Sequence, residues 1–177
     1  MGLPVLHHEA MLFWGILHTS SESLELRQEL EKRYGRIGYE VQGFPFTAST
    51  YYDHEMGEGL KKTFFFFETL ISPDSIADIK LFANDIENRT VQHGKRSINC
   101  DPGYLDMAKV VLPTTKDRDH RIYLRDGIFA EVTLHFRGHS FEGFPWTYPD
   151  FATPDYIELF NAMRVRFSFQ RTRPQSD

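Results

Sequence analysis

Apolar residues along this chain alternate between short unbroken runs and wider helical spacings, a pattern that predicts strands and helices in turn. Ala10 to His18 is a continuous run of aromatic and branched residues and reads as a buried strand. Thr19-Ser20-Ser21-Glu22 then matches the capping box that opens a helix. Leu26, Leu30 and Tyr34 recur on one face of that helix, and Gly35 can stop it by taking a left-handed conformation. Tyr39 to Phe46 reads as the next strand. Lys62 to Thr69 contains four consecutive phenylalanines, which suits a central strand buried on both faces. Ser72-Pro73-Asp74 opens a second helix, with Ser72 as N-cap and Pro73 at the first helical position, where its missing N–H costs nothing. Ile76, Ile79, Ala83 and Ile86 give that helix its apolar face.

Residues 103–112 carry both periodicities. Tyr104, Ala108 and Val111 fit a helix, whereas Val110-Val111-Leu112-Pro113 reads as a strand end, and strand is preferred. Ile122 to Leu124 and Ile128 to Phe136 flank Asp126-Gly127, whose tolerance of positive φ is a strong hairpin signal. Thr153-Pro154-Asp155 starts a last helix bearing Tyr156, Phe160, Met163 and Phe167. The order is therefore β-α-β-β-α-β-like, followed by a hairpin and a helix. It suits an α+β ferredoxin-like sandwich, with a mainly antiparallel sheet and helices on one face, plus the added hairpin and C-terminal helix. There is no internal repeat, linker or composition break, so one domain over residues 1–177 is expected, with 170–177 a frayed tail.

Composition narrows the function classes. At 177 residues the chain is long enough to bury about 70% of its unfolded surface. With 41% hydrophobic and 25% charged residues it reads as soluble and globular, and 16 phenylalanines promise a bulky core. A formal net charge of -5 gives no global field to attract nucleic acid or anionic lipid. The apolar run from Ala10 to Leu17 is too short to span a bilayer, and no basic segment precedes it. Cys100, the lone cysteine, excludes an intramolecular disulfide and suits a reducing compartment, so the cytoplasm is expected.

Candidate chemistry concentrates between Asn99 and Phe136. With Asp126-Gly127 as a two-residue turn, Tyr123 pairs with Ala130 and Arg121 with Val132 on one face. Ile122 then pairs with Glu131, His120 with Thr133 and Arg118 with His135 on the other. That second face gathers His120, Glu131 and His135, two imidazoles and a carboxylate, a set suited to a divalent metal or to acid–base catalysis. A solvated strand face is the plainer alternative, and a bulge near the turn would slip the pairing by one residue and move Glu131 to the opposite side. Asn99-Cys100-Asp101-Pro102-Gly103-Tyr104 is a turn signal first, since Pro102 fixes φ and Gly103 allows positive φ. Functionally, Asn99, Asp101 and Tyr104 would present polar atoms to a ligand. Lys116 with Arg118 and Arg121, joined by Lys95-Arg96, makes a basic cluster fit for a phosphorylated or anionic ligand, with Asp117 beside it. Tyr52, in a Tyr- and Gly-rich connector, and Trp146, in Pro145-Trp146-Thr147-Tyr148-Pro149, are aromatic ligand contacts or, more simply, plugs and straps over a core edge. Phosphate-loop, dinucleotide, metalloprotease and nucleophile-elbow motifs are all missing.

Several of these segments together resemble a known family. Phe44-Pro45-Phe46, Tyr51-Tyr52-Asp53 with Glu55-Met56-Gly57, Ile79-Lys80-Leu81-Phe82, Asn99-x-Asp101-Pro102-Gly103-Tyr104-Leu105, Thr115-Lys116-Asp117, His120-Arg121-Ile122-Tyr123-Leu124, Ala130-Glu131-Val132-Thr133-Leu134 and Pro145-Trp146-Thr147-Tyr148-Pro149 run in order over nearly the whole chain. The joint pattern is similar to the prokaryotic domain-of-unknown-function family numbered 4416. The resemblance implies a stand-alone cytoplasmic prokaryotic protein and supplies no activity or catalytic residues. Cys100 stands where that pattern has an apolar residue, which argues against thiol catalysis. Two functions follow from the residues: a ligand-binding or assembly module, and a small metal- or phosphate-dependent hydrolase or transferase using the His120, Glu131 and His135 face.

Overall fold

Four consecutive phenylalanines divide between two cores. Phe65 and Phe67 join one apolar cluster, Phe64 and Phe66 the other, and none is more than 1% exposed. Burying each side chain stabilises the fold by about 2 kcal/mol, so the strand that carries them fixes the centre of the sheet. The computed structural model describes residues 2–3, 9–19, 23–45, 56, 59–91 and 95–172. Tyr52 and its connector, most of the capping box and residues 173–177 of the expected tail lie outside the described residues.

The described residues form an α+β fold in this order: β1 (Ala10–His18), α1 (Ser23–Tyr34), β2 (Ile37–Pro45), β3 (Lys61–Ile71), α2 (Ile76–Arg89), β4 (Ile98–Leu105), β5 (Lys109–Thr114), β6 (Ile122–Arg125), β7 (Ile128–Arg137), β8 (Ser140–Gly143) and α3 (Pro154–Gln170). Eight strands make one open antiparallel sheet in the order β2-β3-β1-β4-β5-β7-β6, with β8 also on β7. Helices α1 and α2 cover one face through Leu26, Leu30, Ile79, Ala83 and Ile86, packed on Trp14 and Phe65. Helix α3 covers the other, where Phe160, Met163 and Phe167 meet Phe13, Phe64 and Phe66. Among the described residues no helix is long and apolar enough to cross a membrane.

Local signals explain most boundaries. Gly35 takes φ +86 after α1, as its stop signal requires. Thr153 caps α3, its hydroxyl accepting from the Tyr156 N–H. Ser72 makes no side-chain cap; Pro73–Ser75 instead form a 3₁₀ turn from which α2 continues. Asp126 and Gly127 both take positive φ, 52° and 77°, as a tight hairpin turn of this type requires.

Two expectations change. The Asn99 to Tyr104 segment is not a turn but part of β4. Gly103 is there because nothing larger fits: a Cβ would lie 2.4 Å from Phe13 Cζ and 2.8 Å from the Val111 carbonyl oxygen. The hairpin also slips. Arg125 pairs with Ile128, but a bulge at Leu124 sets Tyr123 opposite Phe129 and Ile122 opposite Ala130. A second irregularity, with Val110 opposite Leu134 but Val111 opposite Val132, changes the facing of β7 at Thr133. Ala130 and Val132 therefore pack on the α1/α2 side, and Leu134 and Phe136 on the α3 side.

Candidate functional site

The sheet forks between β4 and β5. Strand β4 pairs with β1 from Ile98 to Leu105, but with β5 only at Tyr104 and Leu105. Pro102 and Pro113 lie on the two strands where they part, and neither has an N–H to contribute to a ladder. A cleft of about 560 Å³ opens in the fork, walled by Asn99 and Asp101 of β4, residues 112–116 at the end of β5, Lys80, Asn84 and Glu87 of α2, and Tyr148 to Phe151.

The parting strips the Cys100 backbone of a strand partner, and α2 supplies the replacement. Glu87 Oε1 accepts the Cys100 N–H at 2.7 Å, while Lys80 Nζ donates to the Cys100 carbonyl at 2.9 Å. Lys80 and Glu87 stand two turns apart on one helical face. Arg96 donates to the second Glu87 oxygen at 2.6 Å. The Cys100 thiol is sealed inside, its pKa pushed well up by burial and then by Glu87, so it offers no nucleophile.

From the other side comes Lys62, whose side chain is 4% exposed. It starts on β3 and reaches across β1 to Asp101 Oδ2 on β4, at 3.2 Å, and to Asp150 Oδ2, at 3.5 Å. The crossing passes over Gly15, where a Cβ would come within 2.8 Å of Lys62 Cε. A glycine in mid-strand weakens the strand; here it leaves the lysine its path. Asn99 Nδ2 also donates to Asp101 Oδ2, at 2.8 Å, and Lys80 Nζ lies 3.9 Å from Asp101 Oδ1. The result is an alternating series: Lys80, Asp101, Lys62, Asp150. Burial opposes the charge on Lys62, but the carboxylates of Asp101 and Asp150 outweigh it and hold its pKa above the ordinary lysine value. Burial likewise works against ionised Asp101, yet Lys62 and then Lys80 hold its pKa below the usual carboxylate range.

A second polar cluster lies behind the cleft. Glu131 is fully buried and accepts from Arg121 Nε at 2.8 Å and from Thr133 Oγ1 at 3.1 Å. His120 Nε2 lies 3.4 Å from the same carboxylate. Arg121 also donates to the Lys116 carbonyl at 2.8 Å and to the Tyr148 hydroxyl at 2.9 Å, tying both rims of the cleft to Glu131. The outer edge of β7 is taken by β6 at residues 128–130 and by β8 at 134–137. Between them, Trp146 Nε1 donates to the Val132 carbonyl and Thr147 Oγ1 to that of Thr133.

The triad of His120, Glu131 and His135 does not converge. His120 meets Glu131, but His135 stacks on Phe144 at 4.4 Å, Phe144 on Trp146 at 4.7 Å, and Trp146 on His120 at 5.2 Å between ring centroids. Two aromatic rings thus separate the imidazoles, because the bulge and the change of facing at Thr133 displace the expected pairing. Among the described residues no group of three or more His, Cys, Asp or Glu is placed to hold a metal. Trp146 stacks on both Phe144 and His120, outside the cleft lining. Tyr104 sits in the α1/α2-side core, its hydroxyl pKa pushed up to about 12 by burial and Asp106. Asp117 is exposed and does not line the cleft.

Of the candidate ligand contacts, Asn99, Asp101 and Lys116 line the cleft, and Arg121 braces it. Lys62, Lys80, Glu87, Asp150 and Gly15 were not singled out by sequence reasoning. A signal existed for two of them: the buried positions of α2 are 76, 77, 79, 80, 83, 86 and 87, and two carry charges where a core face needs none.

No curated protein and no solved structure matches the chain. A family model does, over residues 8–167, and it spans the fork, the α2 charges and the Tyr148 to Phe151 wall alike. The chain belongs to the family described as Domain of unknown function (DUF4416).

Proposed function

We propose that this protein binds a small anionic ligand in the cleft between β4 and β5. The observation that carries the reading is the series Lys80, Asp101, Lys62 and Asp150 set along the cleft. Buried ion pairs rarely add net stability compared with apolar packing, so stability alone does not account for a row of them beside an open space. A cleft with convergent polar groups is the usual form of a small-molecule site. Lys62 is held protonated and Asp101 ionised, so at neutral pH neither is poised to exchange a proton, which favours binding over acid–base chemistry. We read β1-α1-β2-β3-α2-β4, with spatial order β2-β3-β1-β4, as a ferredoxin-like unit extended by β5 to β8 and α3. Its single cysteine suits the reducing cytoplasm of a prokaryote.

Thermal-shift measurements against a panel of carboxylates, phosphate esters and their uncharged analogues test the reading. At least one anion should raise the melting temperature, and Lys80→Met should abolish that rise. Anions that stabilise wild type and Lys80→Met equally would place binding elsewhere.

A further inference from the structure

We infer that the anionic ligand is a sugar, its ring hydroxyls held by Lys80, Asp101 and Asn84. The inference rests on the cleft being the binding site and names the class of compound it takes. Three polar groups on the α2 and β4 side of the cleft carry it, together with the apolar surface across the fork.

Lys80 donates one hydrogen bond, to the Cys100 carbonyl, and its ammonium has two further N–H groups. Asp101 accepts from Lys62 and Asn99 through Oδ2. Its Oδ1 has no hydrogen-bond partner among the described residues, and the side chain is 34% exposed. Lys80 Nζ and Asp101 Oδ1 stand 3.9 Å apart, too far for a direct hydrogen bond. A single oxygen about 2.8 Å from each fits between them. That oxygen must accept from Lys80 and donate to Asp101. A hydroxyl does both, whereas a carboxylate or phosphate oxygen only accepts and would meet the Asp101 carboxylate as a like charge.

Asn84 extends the same polar side. It stands one turn beyond Lys80 on α2, lines the cleft half-buried, and its amide makes no hydrogen bond among the described residues. Two N–H donors and a carbonyl let it take a second hydroxyl in either sense. Across the fork the character changes. Leu112 and Pro113 of β5 present carbon to the cleft, and Pro113 has no N–H to offer. A sugar ring divides in the same way, with hydroxyls around its edge and C–H groups on its faces. The cleft, at about 560 Å³, has room for one.

Isothermal titration of the full chain with two sugar anions, glucuronate and glucose 6-phosphate, and with their hydroxyl-free counterparts, cyclohexanecarboxylate and cyclohexylmethyl phosphate, tests the inference. Within each pair the charged group and ring size match, and only the oxygens of the sugar differ. At least one sugar anion should bind at least about tenfold more tightly than its counterpart, which would leave Asp101 Oδ1 and the Asn84 amide desolvated without a partner. Asn84→Leu, of similar volume, should bring that preference within about threefold. Lys80→Met should abolish binding of the sugar anion. Equal binding within both pairs, lost in Lys80→Met, overturns the sugar while leaving the cleft as the site. A sugar preference that survives both Asn84→Leu and Lys80→Met overturns the assignment of the hydroxyls to these residues. No binding of either sugar anion up to about 50 mM overturns the sugar as well, and other anions that raise the melting temperature of wild type but not of Lys80→Met would still leave the cleft as the site.

Discussion

Two clusters of buried charge lie side by side in this molecule and do opposite things with their surroundings. Around Glu131 every direction is filled: Arg121, Thr133 and His120 occupy the carboxylate, and Trp146, Phe144 and Tyr148 close the outside. Around Asp101 the same kinds of group enclose a space. The chemistry of the residues does not distinguish the two. What differs is the strand arrangement: β7 has its outer edge covered along its length, whereas β4 loses β5 after two residue pairs. A polar cluster becomes a site where the backbone leaves room beside it.

That contrast can be broken most directly at Glu131. Glu131→Ala should cost about 3–5 kcal/mol in urea or guanidinium unfolding, because it leaves Arg121, 7% exposed, without its carboxylate. A loss no larger than that of Lys80→Met would erase the distinction between sealed and open clusters; Lys80 gives its hydrogen bond to a backbone carbonyl, and its ion-pair partner Asp101 keeps Lys62 and Asn99 without it, so the expected cost is about 1 kcal/mol. The second effect is a pH dependence. Asp101 is held below its ordinary value of 3.8, so its contribution to stability is present above that value and fades as pH falls through the lowered one. Lys62 is held above its ordinary value of 10.5, so its contribution is present below that value and fades only as pH rises through the raised one. The stability gap between wild type and Lys62→Met should therefore stay level from about pH 5 to 9 and narrow below about pH 4. A gap that already varies between pH 6 and 8 would assign the dependence to other groups. The smallest effect is expected at the strap. Trp146→Phe keeps a ring in the stack but removes the Nε1 bond to the Val132 carbonyl, at about 1 kcal/mol, with no change in the affinity of a cleft ligand.

Much of the fold was legible because it rests on local patterns. The Phe64 to Phe67 run, the Asp126-Gly127 turn, the Gly35 stop and the Thr153 cap all behave as their chemistry dictates. The site was legible only in part. Asn99, Asp101 and Lys116 lie near one another in sequence and were found as polar outliers. Their partners Lys62, Lys80 and Asp150 come from distant elements and meet only through the sheet order, which no local pattern contains. The His120, Glu131 and His135 expectation failed on register: one bulge at Leu124 and one change of facing at Thr133 decide which side chains share a side, and neither leaves a mark in hydrophobic alternation. Gly103 misled for a related reason, since a glycine required for close approach looks the same in sequence as one required for a turn.

The side-chain bonds from Trp146 and Thr147 to β7 reach beyond local packing. Residues 131–133 form a short stretch of strand edge with β6 on one side and β8 on the other. Unpaired carbonyls in such a gap are a template on which another extended chain can add itself, the route by which sheet proteins aggregate or exchange strands. Here the indole N–H and a threonine hydroxyl stand in for the missing strand. The strap thus guards the chain against self-association as well as walling the cleft. Losing Trp146 and Thr147 together should therefore register first as a rise in oligomers on storage, before any loss of secondary structure.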